Sequence, residues 1–428
     1  MKPARVLIMV QNESVPHDRH VWNQSRALAR AGHDVNVICP LGKGEENAPF
    51  SEIDGVKIHR YRPRDADDGA ASYIVEYLAA LRSMRKLARR LAGERPFDLV
   101  HACSPPDFLL LAALGLRLQG SRFVFDHHDL TPELYATRFG EGLIQRATLA
   151  GEQVGYRVAD VVLAVNDSYR RVAIERGHRD PDDVVVVRTG PDLSRFVPVE
   201  PDPSLKGDKD FLLSYVGVMG AQDGVDHALK ALAALAERRR DWKAIFMGDG
   251  DVLEEMRALA AELGIDDLVE FSGWVEHDYV ATVLSSSDVC IAPDPKNPLN
   301  DLSSMIKISE YMAMARPIVS FDLTESRVGA GDAAVFAAPE DFDGFAALTS
   351  DLLDDPERRD ALGAAGRRRA EDVLAWEHQE RALFFAYERA LSMGPVQEGR
   401  LSLMRRLILR RRNARKAASA AAFAATSD

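Results

Sequence analysis

Short unbroken apolar runs alternate with helical periodicity along nearly the whole chain. In the first half the runs are 6–10, 35–39, 56–61, 99–103, 123–125, 161–165 and 184–187. Helical patterns lie between them, as at 21–31 and 73–91. Near Thr189 the rhythm stops. Gly190, Pro191, Pro198, Pro201, Pro203 and Gly207 make 189–210 read as a linker. The alternation then resumes with runs at 211–216, 244–247, 269–271, 289–292, 318–321 and 335–337, and helices at 226–239 and 253–263. Runs that are apolar throughout, rather than at every second position, predict strands covered on both faces, hence parallel sheets sandwiched by helices. The pattern predicts an α/β chain of two doubly wound, Rossmann-like domains. In such folds ligands sit beyond the carboxyl ends of the strands.

The length of 428 residues agrees with two domains rather than one. A last amphipathic helix is expected at 376–391. Beyond Pro395 eight basic residues face only Glu398 and Asp428, so this tail carries +6 and the rest of the chain −18 of the total −12. An acidic body argues against nucleic acid as a partner. No apolar run reaches the roughly 20 residues of a membrane span, and 6–10 is too short for a signal segment. Cys39, Cys103 and Cys290 lie in or beside strand-like runs, an arrangement that predicts buried thiols and a cytoplasmic protein. The first strand runs into 11–19 without a glycine, which removes the dinucleotide fingerprint. A Walker A sequence and a nucleophile elbow are also missing.

Four segments of the second half carry a more specific message: YVGVMGAQDGVDHALKAL (215–232), MGDGDVLEEMRALAAELGIDDLVEFSGWV (247–275), SSDVCIAP (286–293) and KISEYMAMARPIVSFDL (307–323). In this order and spacing they resemble the retaining family-4 glycosyltransferases of the GT-B fold. In the first half, DRHVWNQSRALARAGHDVNVICP (18–40) resembles that family's first helix and second strand. FDHHDLTPELY (125–135) resembles the segment bearing its active-site histidine. The resemblance covers roughly residues 5–392, and it is similar in detail to bacterial surface-polysaccharide and amino-sugar transferases. It implies two domains facing a central cleft. An acceptor-side domain would span 1–195 with the returning helix 376–395, and a nucleotide-sugar domain 196–375. The basic tail 396–428 would be amphipathic or disordered.

The resemblance implies a site. Glu310 matches the second glutamate of a Glu-x7-Glu motif and would accept hydrogen bonds from ribose hydroxyls. Ser303 and Ser304 read as the start of its helix, where a serine caps and free N–H groups favour a diphosphate. That start places Glu310 roughly two turns in. Lys307, three residues earlier, shares the face of Glu310 and would stabilise charge on the leaving nucleotide. His128 would contact the donor sugar near the reacting centre, with His127 ambiguous beside it. Gly217 and Gly220 would let backbone approach a phosphate, and Trp274 and Val275 would lie where backbone holds the base. Arg19 and His20, opening the first helix, would face a phosphate of donor or acceptor.

Three departures matter. Leu302 stands where the first glutamate of the pair belongs, which leaves Asn300 and Asp301 to hold sugar hydroxyls. The arginine–lysine pair usual after the strand at Val216 is replaced by a stretch with Gln222 and Asp223 and no cation. The glycine pair usual after the first strand is absent. Lys307, Arg19 and the helix start near Ser304 are expected to take over the diphosphate.

The reaction expected is transfer with retention from a nucleotide-diphosphate sugar, with UDP as the default base, to a glycan or polyprenyl-linked acceptor in cell-surface polysaccharide synthesis. No cofactor and no metal are expected; Asp249-Gly250-Asp251 reads as a glycine turn rather than a cation site. The basic stretch 400–416 would rest on an anionic membrane surface at the inner face. Two other readings stay open: a nucleotide-sugar epimerase of the same fold, and a catalytically silent partner subunit motivated by the missing cations and Leu302. Product analysis separates these.

Overall fold

The computed structural model describes residues 2–42, 44–64 and 70–394. The basic tail at 396–428 lies outside the described residues. Among the described residues, one compact unit comprises those up to Asp126, Ala150–Val162 and those from Phe384 to Gly394; the other comprises His127–Leu149 and Leu163–Leu383.

Eight strands, β1 (Arg5–Met9), β2 (Asp34–Pro40), β3 (Phe50–Ile53), β4 (Val56–Tyr61), β5 (Leu99–Cys103), β6 (Arg122–His127), β7 (Val161–Ala164) and β8 (Val184–Val186), form one sheet. Its order is β3-β4-β2-β1-β5-β6-β7-β8. β1, β2, β4, β5 and β6 pair in parallel. Every residue of β1, β5 and β6 is buried, which is the physical reason their apolar residues run consecutively rather than at every second position. β3 is the exception. It pairs antiparallel with β4, with Ile53 opposite Val56. Asp54 and Gly55 close this hairpin at φ of 49° and 79°, as a two-residue turn that follows the twist of its strands requires. β3 is largely exposed, so no apolar run announces it.

The second sheet holds β9 (Phe211–Val216), β10 (Trp242–Met247), β11 (Val269–Gly273), β12 (Val289–Ala292), β13 (Ile318–Phe321) and β14 (Ala334–Ala337). All its pairings are parallel, in the order β11-β10-β9-β12-β13-β14. Alternate residues feed two cores. Leu213, Tyr215, Phe246 and Ile291 pack on one face. Leu212, Ile245, Met247, Cys290 and Ala292 pack on the other. Each buried Leu, Ile, Phe or Met among them contributes about 1.5–3 kcal/mol by leaving water. The strand order reverses between β9 and β12, and there the helices leave to opposite faces and open a crevice at the carboxyl ends. This switch point positions the candidate site.

All three cysteines are buried free thiols, as their strand positions predict. Burial pushes Cys39 up to about 11 and Cys290 up to about 12. Among the described residues no helix is long and apolar enough to cross a membrane.

Candidate functional site

At the end of β9 the chain turns through Gly217, Met219 and Gly220 before the helix Val225–Ala236. Gly217 donates its N–H to the carbonyl of Met247, 3.0 Å away. A Cβ on Gly248, at φ 141°, would lie 1.9 Å from the carbonyl of Gly217, so the loops after β9 and β10 cross backbone to backbone and only glycine fits. The same holds at Gly224, φ 73°, where a Cβ would meet the carbonyl of Pro293 at 2.4 Å. The loops after β9 and β12 are thereby clamped together at the switch point.

Asp294 follows β12 and Asp223 follows Gly220 in this clamp. The Oδ2 of Asp223 accepts the N–H of Gly220 at 2.9 Å. Burial raises the Asp223 carboxyl above its ordinary range, Lys307 pulls it down, and Asp294 pushes it up. Lys307 is itself buried, donates to Asp294 Oδ1 at 2.5 Å, and lies 5.4 Å from the centre of the Tyr215 ring. A Cβ on Gly217 would sit 3.5 Å from Lys307 Cε. One buried ammonium is thus paired with one carboxylate and within electrostatic reach of a second. A cation so placed is held in position, which is what stabilising a leaving diphosphate requires.

Lys307 and Glu310 lie on the helix Ile306–Ala313. Met305 precedes it with no side-chain cap, so the first N–H groups lack an intrahelical partner. This corrects the expected start. Ser304 Oγ accepts from Asn166 Nδ2 at 3.0 Å. Ser303 Oγ donates to the carbonyl of Leu299 and lies 3.0 Å from the Tyr169 hydroxyl. Both hydroxyls are spent on loop packing, and neither caps the helix. Glu310 is therefore about one turn in rather than two. Glu310 keeps partial access to water while protein surrounds it. That burial pushes its carboxyl up to about 7, with Arg195 and then Lys307 pulling the other way.

The other expected residues are placed as follows. Asn300 is buried, and its Nδ2 donates to the carbonyls of Gln222 (2.9 Å) and Pro295 (3.0 Å); both its N–H bonds hold loops, not a sugar. Asp301 caps the helix Thr324–Ala330, accepting from the Thr324 N–H and hydroxyl, and pairs with Lys296 at 3.3 Å. Trp274 is 68% exposed, while Val275 packs on the core. His128 is half-buried with Nε2 3.9 Å from the Asp129 carboxylate. His127 is fully buried, its ring 5.6 Å from Tyr169. Arg19 is exposed at the first position of the helix Arg19–Arg30, which Asp18 caps by accepting from Val21 N–H. His20 turns inward, with Nε2 2.8 Å from Asp126 Oδ2, and does not present a free edge to a phosphate.

The structure gathers Gly217, Gly220, Lys307 and Glu310 and adds Asp223, Asp294, Tyr215 and Arg195, whose part the sequence did not disclose. The only signal was position: Asp223 and Asp294 each follow a predicted strand of the second sheet.

Family models match both halves. The model described as Glycosyltransferase Family 4 matches residues 18–195, and that described as Glycosyl transferases group 1 matches 210–355. An MMP alpha-(1->4)-mannosyltransferase of Mycolicibacterium hassiacum is 27% identical over 407 residues, 87% of this chain and 94% of that protein. The sucrose-phosphate synthase of Thermosynechococcus elongatus is similar in fold at TM-score 0.73 and 18% identity, over 90% of this chain and 98% of that one. HepE of Anabaena in complex with UDP-glucose is similar at TM-score 0.66 and 14% identity, over 90% and 99%.

Proposed function

Since the chain belongs to the family-4 glycosyltransferases of the GT-B fold, we propose that it moves a sugar from a UDP-sugar, with retention, to a glycan or lipid-linked acceptor in cell-surface polysaccharide synthesis. One observation carries the donor half of this reading: Lys307 and Glu310 stand on one helix at the switch point, a buried cation next to a carboxylate. Phosphate oxygens suit the ammonium and the free N–H groups of the helix start. Ribose hydroxyls suit the carboxylate. That HepE holds UDP-glucose on the same fold supports UDP as the base.

In the proposed reaction the acceptor hydroxyl attacks the anomeric carbon on the face the diphosphate leaves. The anomeric C–O bond to phosphate breaks, the bond to the acceptor oxygen forms, and the acceptor proton passes to an oxygen of the departing nucleoside diphosphate. Lys307 offsets the charge developing there, and the chain otherwise contributes positioning. Because Lys307 supplies this charge, the transfer needs no metal and no cofactor. The acceptor fits a place at the inner face of the membrane, reached through the basic stretch 400–416.

Thermal denaturation with UDP, GDP and ADP, each with and without chelator, beside Glu310→Ala, tests this. A ligand of the folded form at 100 times its Kd stabilises it by about 2.7 kcal/mol. The expected outcome is a shift with UDP that survives chelator and is lost in the variant. No shift with any nucleotide, or one abolished by chelator, overturns the reading.

A further inference from the structure

Asp294 is 2% exposed, directly after β12 at the switch point. Its Oδ1 takes the ammonium of Lys307 at 2.5 Å. Its Oδ2 is buried and meets no hydrogen-bond partner. A buried carboxylate oxygen left in this state costs about 1–3 kcal/mol, and one kept just past the carboxyl end of a strand beside the switch point has an acceptor to offer something that arrives with a donor.

From this geometry we infer that Asp294 is a specificity-determining residue: its Oδ2 accepts a hydroxyl of the sugar being transferred. The inference rests on the donor reading above. A carboxylate repels phosphate, so the incoming group is a hydrogen-bond donor. In a nucleotide sugar the donors are the base, the ribose hydroxyls and the sugar hydroxyls. Glu310 and Asp294 both adjoin Lys307, Glu310 as its electrostatic neighbour on the same helix and Asp294 as its ion-pair partner. With Lys307 on the diphosphate and Glu310 on the ribose, the carboxylate left over meets the group joined to the other end of the diphosphate, which is the sugar. Leu302 cannot bond a hydroxyl, Asn300 has both its N–H bonds engaged and Asp301 is tied to Thr324 and Lys296. Asp294 Oδ2 is a buried carboxylate oxygen with no donor from the protein. A second acid near it, Asp223, has its Oδ2 committed to the Gly220 N–H.

The test compares UDP with UDP-glucose, UDP-galactose and UDP-N-acetylglucosamine by calorimetry on the full chain and on Asp294→Asn. The variant keeps an oxygen for Lys307 and turns the other group from acceptor to donor. Wild type is expected to bind one UDP-sugar more tightly than UDP. The variant should keep its UDP affinity within about threefold and lose about tenfold or more toward that UDP-sugar, as removal of one hydrogen bond to a charged group predicts. A deoxyfluoro analogue at the recognised hydroxyl should weaken wild type and leave the variant unmoved. Equal losses for UDP and UDP-sugar would overturn the inference, because Asp294 would then act only through Lys307. Unchanged affinity for both would overturn it too. If wild type binds no nucleotide at all, the donor reading itself falls and takes this assignment with it, an outcome plainly distinct from the other two.

Discussion

Two buried carboxylates, one in each compact unit, lie near the carboxyl ends of strands and are treated in opposite ways. Asp126 in β6 draws donors from every side. His20 Nε2 lies 2.8 Å, Gln24 Nε2 2.9 Å and His101 Nε2 3.2 Å from its Oδ2, and His101 Nδ1 is in turn 2.8 Å from the Tyr387 hydroxyl. Asp294 has one ion pair and an oxygen with no partner. A carboxylate whose partners come from the protein is part of what holds the fold. A carboxylate with one oxygen left over has an acceptor to offer a ligand.

The sharpest way to break this contrast is to remove the charge of each acid. Asp126→Ala strands two imidazoles and an amide in the interior and should cost about 3 kcal/mol of stability. This would be read by urea denaturation of the full chain. Asp294→Asn keeps a partner for Lys307 and should cost less than half as much. Equal losses would erase the distinction between a structural and a ligand-facing carboxylate.

The next effect concerns protons. Glu310 is held up to about 7 by burial, against 4.5 for a free side chain. Between those values the folded chain holds a proton the unfolded chain has released, so this group's contribution to stability declines as pH rises across that window. Ligand binding runs the other way. Ribose hydroxyls bond best to the ionised carboxylate, so UDP affinity should fall below pH 7, approaching about tenfold per unit, and level off above it. Glu310→Gln should flatten that part of the profile, which also separates it from ionisation of the nucleotide itself. A wild-type profile with the same slope as the variant would remove Glu310 from the ribose.

What could be read in advance follows from which forces were local. Runs such as Val6–Val10 and Val289–Ala292 declare strands because burial on both faces forces every residue to be apolar. β3 stayed hidden because its residues are exposed, although the dipeptide Asp54-Gly55 marked its turn. In the site, Lys307 and Glu310 were legible from the pattern of one segment. Asp223 and Asp294 were not, because their meaning depends on β9 and β12 becoming neighbours across some seventy residues of chain. Ser303 and Ser304 misled for a related reason. Serine before a helix caps by local geometry, but here Tyr169 and Asn166, far away in sequence, claim those hydroxyls.

The smallest effect probes how the satisfied cluster is built. Tyr387 comes from the helix Trp376–Ser392, far along the chain from β5, yet its hydroxyl meets His101 Nδ1. Burial raises the phenol well above its ordinary range, so it stays a neutral donor or acceptor at any working pH. Tyr387→Phe removes this one oxygen and leaves the ring in place. The expected loss is about 1 kcal/mol, with UDP affinity unchanged. A loss several times larger would mean that the hydroxyl fixes the orientation of His101 and, through it, the whole set of bonds on Asp126. In that case Tyr387→Phe and Asp126→Ala would fall short of additivity when combined. Additive losses would instead show two independent bonds, and the cluster would be a sum of contacts rather than a single unit.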